Sequence, residues 1–236
     1  KDLLNFSEKK RWEKMRRSDA REDHGKLINE ILFINDQSKA LASLEWLRDI
    51  IKSGEETDYA YPYMYAMQLH RSKYVSPAAP EAEITARAMA YYSKILLMTD
   101  AARCDDNGVG TSRFLNLSKA LSVVDEETKH LPYDIKRIAM NIAFFLEDKY
   151  KNRQKQPLIC ESGAGFMARA MQSEKTKQEE TLADKGNKEG LIPGSRIITV
   201  IPGDDVEIFY VSDEEWHKKR EKIRDTFSKS LSKEKK

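Results

Sequence analysis

Between Pro80 and Cys104 the apolar residues Ile84, Ala88, Tyr91, Ile95, Met98 and Ala102 recur at steps of four and three, with no glycine or proline among them. That spacing lines one face of an α-helix, whereas the residues lining one face of a strand alternate. Asp105-Asp106-Asn107-Gly108 follows as a stop signal. The chain must therefore build its core around a long helix, and most of the remaining sequence repeats the same grammar. Glycine and proline number only 10 and 7 in 236 residues, and charged residues reach 34%. Few breakers and many charges favour long helices with solvated outer faces, while 40% hydrophobic residues suffice for a packed core.

Other segments follow suit. Ser7 is placed to cap a helix running toward Phe33, with Leu27, Ile28, Ile31 and Leu32 as its apolar stripe and Gly25 as a weak point. Asn35-Asp36 opens a second helix over about 37–53, with Leu41, Leu44, Leu47 and Ile51 on one face, widened by Trp46 and Ile50, and with Gly54 at its end. Tyr59, Tyr61, Tyr63 and Tyr65 alternate like a strand, but Pro62 suits the first turn of a helix better than a central strand. Phe114, Leu115, Leu117 and Leu121 predict a short helix after Gly110. A longer one from Pro132 to about Gln154 is expected to bury Ile135, Ile138, Ile142, Phe145 and Leu146.

Beyond Pro157 the texture changes. Residues 173–190 offer little to bury and read as an exposed helix or a linker. Arg196 to Ile201 and Val206 to Val211, joined by Pro202-Gly203-Asp204-Asp205, read as a β-hairpin. Ser212 or Asp213 then caps a last helix. The expected fold is mainly α: an antiparallel array of six or seven helices over 1–156. A smaller appendage over 157–236 adds a linker, one β-hairpin and a C-terminal amphipathic helix.

Each motif with chemical promise lacks its required context. Gly163-Ala164-Gly165-Phe166-Met167-Ala168 has the spacing of a dinucleotide fingerprint, but only about three apolar residues precede it and no second core strand follows. In Asp105-Asp106-Asn107-Gly108, a calcium loop would place Arg103 and Phe114 where carboxylates are needed. His24, His70, His130 and His217 are scattered without ligand spacing, so no metal and no cofactor is expected. Cys104 and Cys160 are expected as reduced, metal-free thiols, which points to a cytoplasmic setting. Asp100 and Arg103 stand three apart on one helix face and predict a structural ion pair.

The two ends carry the interaction signals. Residues 1–17 hold seven basic against three acidic residues, and 214–236 hold nine against five, on a chain of net charge +2. Trp12, Arg16 and Arg17 mark the first region as a partner-binding candidate. In the second, Trp216, Ile223, Phe227 and Leu231 fall on one helical face, which either docks on the chain's own body or enters a partner's groove. No apolar run approaches the roughly 20 residues that span a bilayer. The expected function is a non-enzymatic adaptor or scaffold subunit of a larger intracellular assembly, acting through protein–protein contacts. An enzyme with a dispersed cleft site is the alternative, as is a binder of anionic membrane or nucleic acid through the basic N-terminal helix. The near-neutral total charge argues against nucleic acid.

Overall fold

The computed structural model describes residues 2–18, 21–54, 58–72, 80–106, 108–161, 163–182 and 196–235. Among them are eleven helices and one two-stranded sheet. The helices are α1 (Asp2–Arg16), α2 (Arg21–Leu32), α3 (Gln37–Ser53), α4 (Ala60–Ser72) and α5 (Pro80–Ala101). They continue with α6 (Thr111–Ala120), α7 (Ser122–Glu127), α8 (Tyr133–Lys149), α9 (Pro157–Cys160) and α10 (Ala164–Gln172). Strands β1 (Lys177–Leu182) and β2 (Arg196–Ile201) precede α11 (Asp213–Lys233). No helix among the described residues is long and apolar enough to cross a membrane.

α5 is the axis of the fold. Tyr92, Ile95, Leu96 and Leu97 are fully buried along it, and α4, α8 and α11 pack around it. The predicted caps on α3 are present: Asp36 accepts from Lys39 N at 2.8 Å, and Gly54 adopts φ 71° while its N–H bonds Ile50 O. The left-handed conformation at Gly54 is reinforced by crowding, since a Cβ there would strike the Tyr150 ring. The N-terminal helix expected from Ser7 to Phe33 is instead two helices. Gly25 lies inside α2, and the break falls between Arg16 and Arg21. Leu41, expected on the buried face of α3, points outward, because Ala42, Trp46, Leu47, Ile50 and Ile51 form the face that packs.

α8 is rotated relative to expectation. Its buried residues are Lys136, Ala139, Met140, Ala143 and Glu147, while Ile138, Ile142 and Phe145 are 47%, 38% and 65% exposed. The reason is steric and electrostatic. Small Ala139 and Ala143 let α8 approach α5 closely, and Glu147 and Lys136 have ion-pair partners, Arg220 of α11 and Glu234 just beyond its end, that a solvent-facing orientation would forfeit. α8 also ends at Lys149, short of Gln154.

The hairpin, too, has a different partner. β2 pairs antiparallel with β1, in register Lys177↔Ile201 to Leu182↔Arg196, so β1 occupies part of the stretch read as helix or linker. The connecting residues 183–195 lie outside the described residues. The Gly-Asp-Asp turn is drawn back toward the start of β1: Gly203 N donates to Thr176 Oγ1 at 3.1 Å, Lys175 pairs Asp204 at 2.9 Å and Ser173 Oγ bonds Asp205 at 2.8 Å. Val206 to Val211 therefore leaves the sheet and crosses the end of α5. There Tyr210 forms a single bridge with Cys104, closed by Asp105 N to Phe209 O and Val211 N to Arg103 O.

The two cysteines are joined. Cys104 and Cys160 form a disulfide with Cα atoms 5.4 Å apart across 56 residues, which corrects the expectation of two free thiols. Their chain neighbourhoods converge because Asp106 Oδ2 accepts from Gly165 N at 2.5 Å and Phe166 N at 3.3 Å, holding the first turn of α10 against the α5 stop. This capping role, together with close packing at Gly163 and Gly165, accounts for the glycine pattern that mimics a dinucleotide loop.

Candidate functional site

α11 packs against α5 and α8 and carries one wall of an apolar groove. Ser212 accepts from Glu215 N at 3.2 Å, and Asp213, Glu214 and Glu215 complement the positive end of the helix dipole. The helix is then fastened along its length. Trp216, 4% exposed, donates from Nε1 to Thr99 O at 2.9 Å beneath the Arg103 guanidinium. Arg220 forks onto Glu147 through Nε and Nη2, at 2.8 and 2.7 Å, and reaches Asp148 at 2.8 Å. Arg224 adds a further bond to Glu147 at 2.7 Å. At the far end Leu231 is buried, and Glu234 accepts from Lys136 at 3.0 Å and lies 3.7 Å from Arg87.

Beneath the first turn sits a second, dry cluster. Asp100 takes Arg153 as its ion-pair partner at 2.6 Å, both side chains having no solvent exposure. Arg103, expected to pair with Asp100, instead donates to the carbonyls of Arg153 and Lys151 at 3.1 and 2.6 Å. Burial pushes the Asp100 carboxyl above the usual carboxylate range, while Arg153 and Arg103 pull it back down. Burial also lowers the Arg103 guanidinium. The Tyr92 hydroxyl, buried nearby, is pushed well above the ordinary phenol range by desolvation. These groups fix helix positions, and none of them faces an open cleft.

What α11 leaves open is an apolar groove of about 480 Å³. Met98 of α5 and Ala102 just beyond its end, Phe114 of α6, and Ile223 and Phe227 of α11 form its walls. Phe114 and Phe227 meet edge to face with centroids 6.2 Å apart. Lys219 and Lys222 border one end, with Thr226 and Ser230 further along. A second apolar surface is the outward face of α8, where Ile135, Ile138, Ile142 and Phe145 recur at three, four and three, the seam spacing of paired helices.

The four α11 candidates thus divide: Trp216 and Leu231 are core, and Ile223 and Phe227 line the groove. At the N-terminus Trp12 is buried, donating to Glu30 at 2.7 Å and packing on Trp46 with centroids 5.6 Å apart. Arg16 and Arg17 border a polar crevice with Asp58, Tyr61 and Glu161, but both bind Glu13 at 2.6 Å. Lys9 pairs Glu45 at 2.9 Å, and Arg11 pairs Glu8 and Glu30. The basic run is thereby largely neutralised by carboxylates. Among the described residues no group of three or more His, Cys, Asp and Glu side chains could hold a metal ion.

The groove was half legible, through Ile223 and Phe227. Its α5 and α6 walls come from residues that the helical pattern assigned to the core. Comparison of the chain with protein-family models, with curated proteins and with solved structures yields no match.

Proposed function

We propose that the protein is a non-enzymatic adaptor or scaffold that presents the outward face of α8 to an apolar helix of a partner protein. The observation that carries this reading is the exposure of Ile138, Ile142 and Phe145 on one helix at seam spacing. Three large side chains left in water on one helix are costly to solubility, and a helical partner with matching spacing would cover them. Rigidity supports it as well. The opposite face of α8 is anchored through Lys136 and Glu147, so the stripe is presented without a folding cost at the moment of binding. The cytoplasmic setting rested on free thiols. The Cys104–Cys160 bond favours an oxidising compartment instead, where such bonds persist.

The test places a photocrosslinking phenylalanine analogue at Asn141, beside the stripe, in the cells that make the protein. A discrete adduct with another protein is expected, falling at least tenfold when Ile138→Asp and Ile142→Asp are added, with the melting temperature unchanged. No adduct, or one indifferent to those substitutions, overturns the proposal. An adduct of twice the chain mass replaces the adaptor with a self-assembling scaffold.

A further inference from the structure

We infer that the groove between α5, α6 and α11 binds a free single-chain anionic amphiphile, a long-chain carboxylate, with its head at Lys219 and Lys222 and its tail along Ile223, Phe227, Met98 and Phe114. The groove and the α8 stripe are separate surfaces, so this stands apart from the adaptor reading.

Three features of the groove select that ligand. Its volume, about 480 Å³, falls within the range of small-molecule sites. Its charged lining is of one sign. Lys219 and Lys222 are the charged residues that border it, and among the described residues Lys222 has no carboxylate within ion-pair distance, while Lys219 has only Glu215 at 2.8 Å on the same helix. The remainder of the groove offers aromatic and aliphatic surface. Its hydroxyls are already spent on the α11 backbone, Thr226 on Lys222 O and Ser230 on Phe227 O, both at 2.8 Å. An extended peptide laid there would leave its backbone groups unsatisfied, whereas an alkyl chain asks for no hydrogen bonds. The lining residues of α11 run from Lys219 to Ser230, a rise of about 16 Å, which matches an extended chain of about a dozen carbons.

Chain length therefore becomes the readout. Each methylene removed from water strengthens binding about fourfold, so affinity should climb from octanoate to dodecanoate and level off once the tail passes Ser230. The experiment is a calorimetric titration of the intact protein with the saturated carboxylates from eight to sixteen carbons, each below its micellar concentration. The alkyl trimethylammonium series serves as charge control. Binding of the carboxylates, a plateau near twelve to fourteen carbons and at least tenfold weaker binding of the cationic series are expected. Lys222→Glu should cost the carboxylates about tenfold and narrow that preference. Ser230→Trp, an exposed position, should move the plateau to shorter chains while the melting temperature stays within two degrees. Absence of carboxylate binding, no dependence on chain length, equal binding of the cations, or a plateau unmoved by Ser230→Trp overturns the proposal. Tighter binding of an apolar helical peptide than of dodecanoate also overturns it, making the groove a protein-docking site.

Discussion

The Arg103 guanidinium lies 4.0 Å from the centre of the Trp216 ring, while its N–H groups bond the carbonyls of Lys151 and Arg153. One side chain at the end of α5 therefore ties the first turn of α11 to the chain leaving α8. The stack desolvates Arg103, and its two carbonyl bonds offset part of that cost.

Trp216→Ala removes this stack, the bond to Thr99 O and a large buried volume together. It should destabilise by about 3–5 kcal/mol, and Trp216→Phe, which keeps most of the packing, by about 1–2 kcal/mol. Truncation after Ser212 should lower the melting temperature markedly, since Trp216, Arg220 and Leu231 are all core. Urea denaturation of the three variants checks the order. A truncated chain that melts like the parent would show α11 to be dispensable for the fold.

The Asp100–Arg153 pair is dry on both sides, so breaking one partner strands the other. Arg153→Ala is expected to cost about 3–5 kcal/mol, whereas Arg153→Met combined with Asp100→Leu should recover most of it. A double-mutant cycle measures this directly. If the double variant were as unstable as Arg153→Ala alone, the cost would come from lost packing and bonds to Thr99 and Tyr150 rather than from a stranded carboxylate.

Local signals were readable in the sequence and distant partners were not. The stop after α5, the Asp36 and Gly54 caps, Pro62 in the first turn of α4 and the Ser212 cap all depend on residues within one turn of one another. The face that α8 buries depends on Arg220, 73 positions from Glu147. Periodicity favoured Ile138 and Phe145 because it cannot register that a carboxylate has two arginines waiting for it. Asp100 has Arg103 one turn away, yet its bond goes to Arg153, 53 positions on. The same limit applies to β1. A strand of Lys, Gln and Glu carries no burial pattern, and only its pairing with β2 defines it.

Closing a loop of 56 residues stabilises the fold by about 4 kcal/mol in the chain-entropy account. Thiol titration of the unfolded, unreduced protein should find no free thiol, and two after a dithiol reductant is added. Cys160→Ser should lower the melting temperature while the circular dichroism remains helical, because α5, α8 and α11 do not depend on the bond for their contacts. Two free thiols in the protein as isolated from its own cells would return it to a reducing compartment.

Glu13 gives the fold a pH dependence at its N-terminal end. The bond from Arg16 lowers its pKa most, burial opposes, and Arg17 lowers it further, leaving it at about 2 against an ordinary 4.5. The sign follows from linkage: a carboxyl depressed in the folded state contributes stability that is complete above the unfolded value and is lost as pH falls. The contribution should therefore be intact at neutral pH and decline between about 4.5 and about 2. The side chain is part-exposed at the surface, so screening keeps the effect small, and a site-resolved measurement is needed rather than a global melt. Carbon-detected titration of the Glu13 carboxyl should show a midpoint well below those of freely solvated glutamates. Arg16→Ala should raise that midpoint by more than Arg17→Ala does. A midpoint near 4.5 in the parent would mean that neither arginine holds the carboxylate in solution.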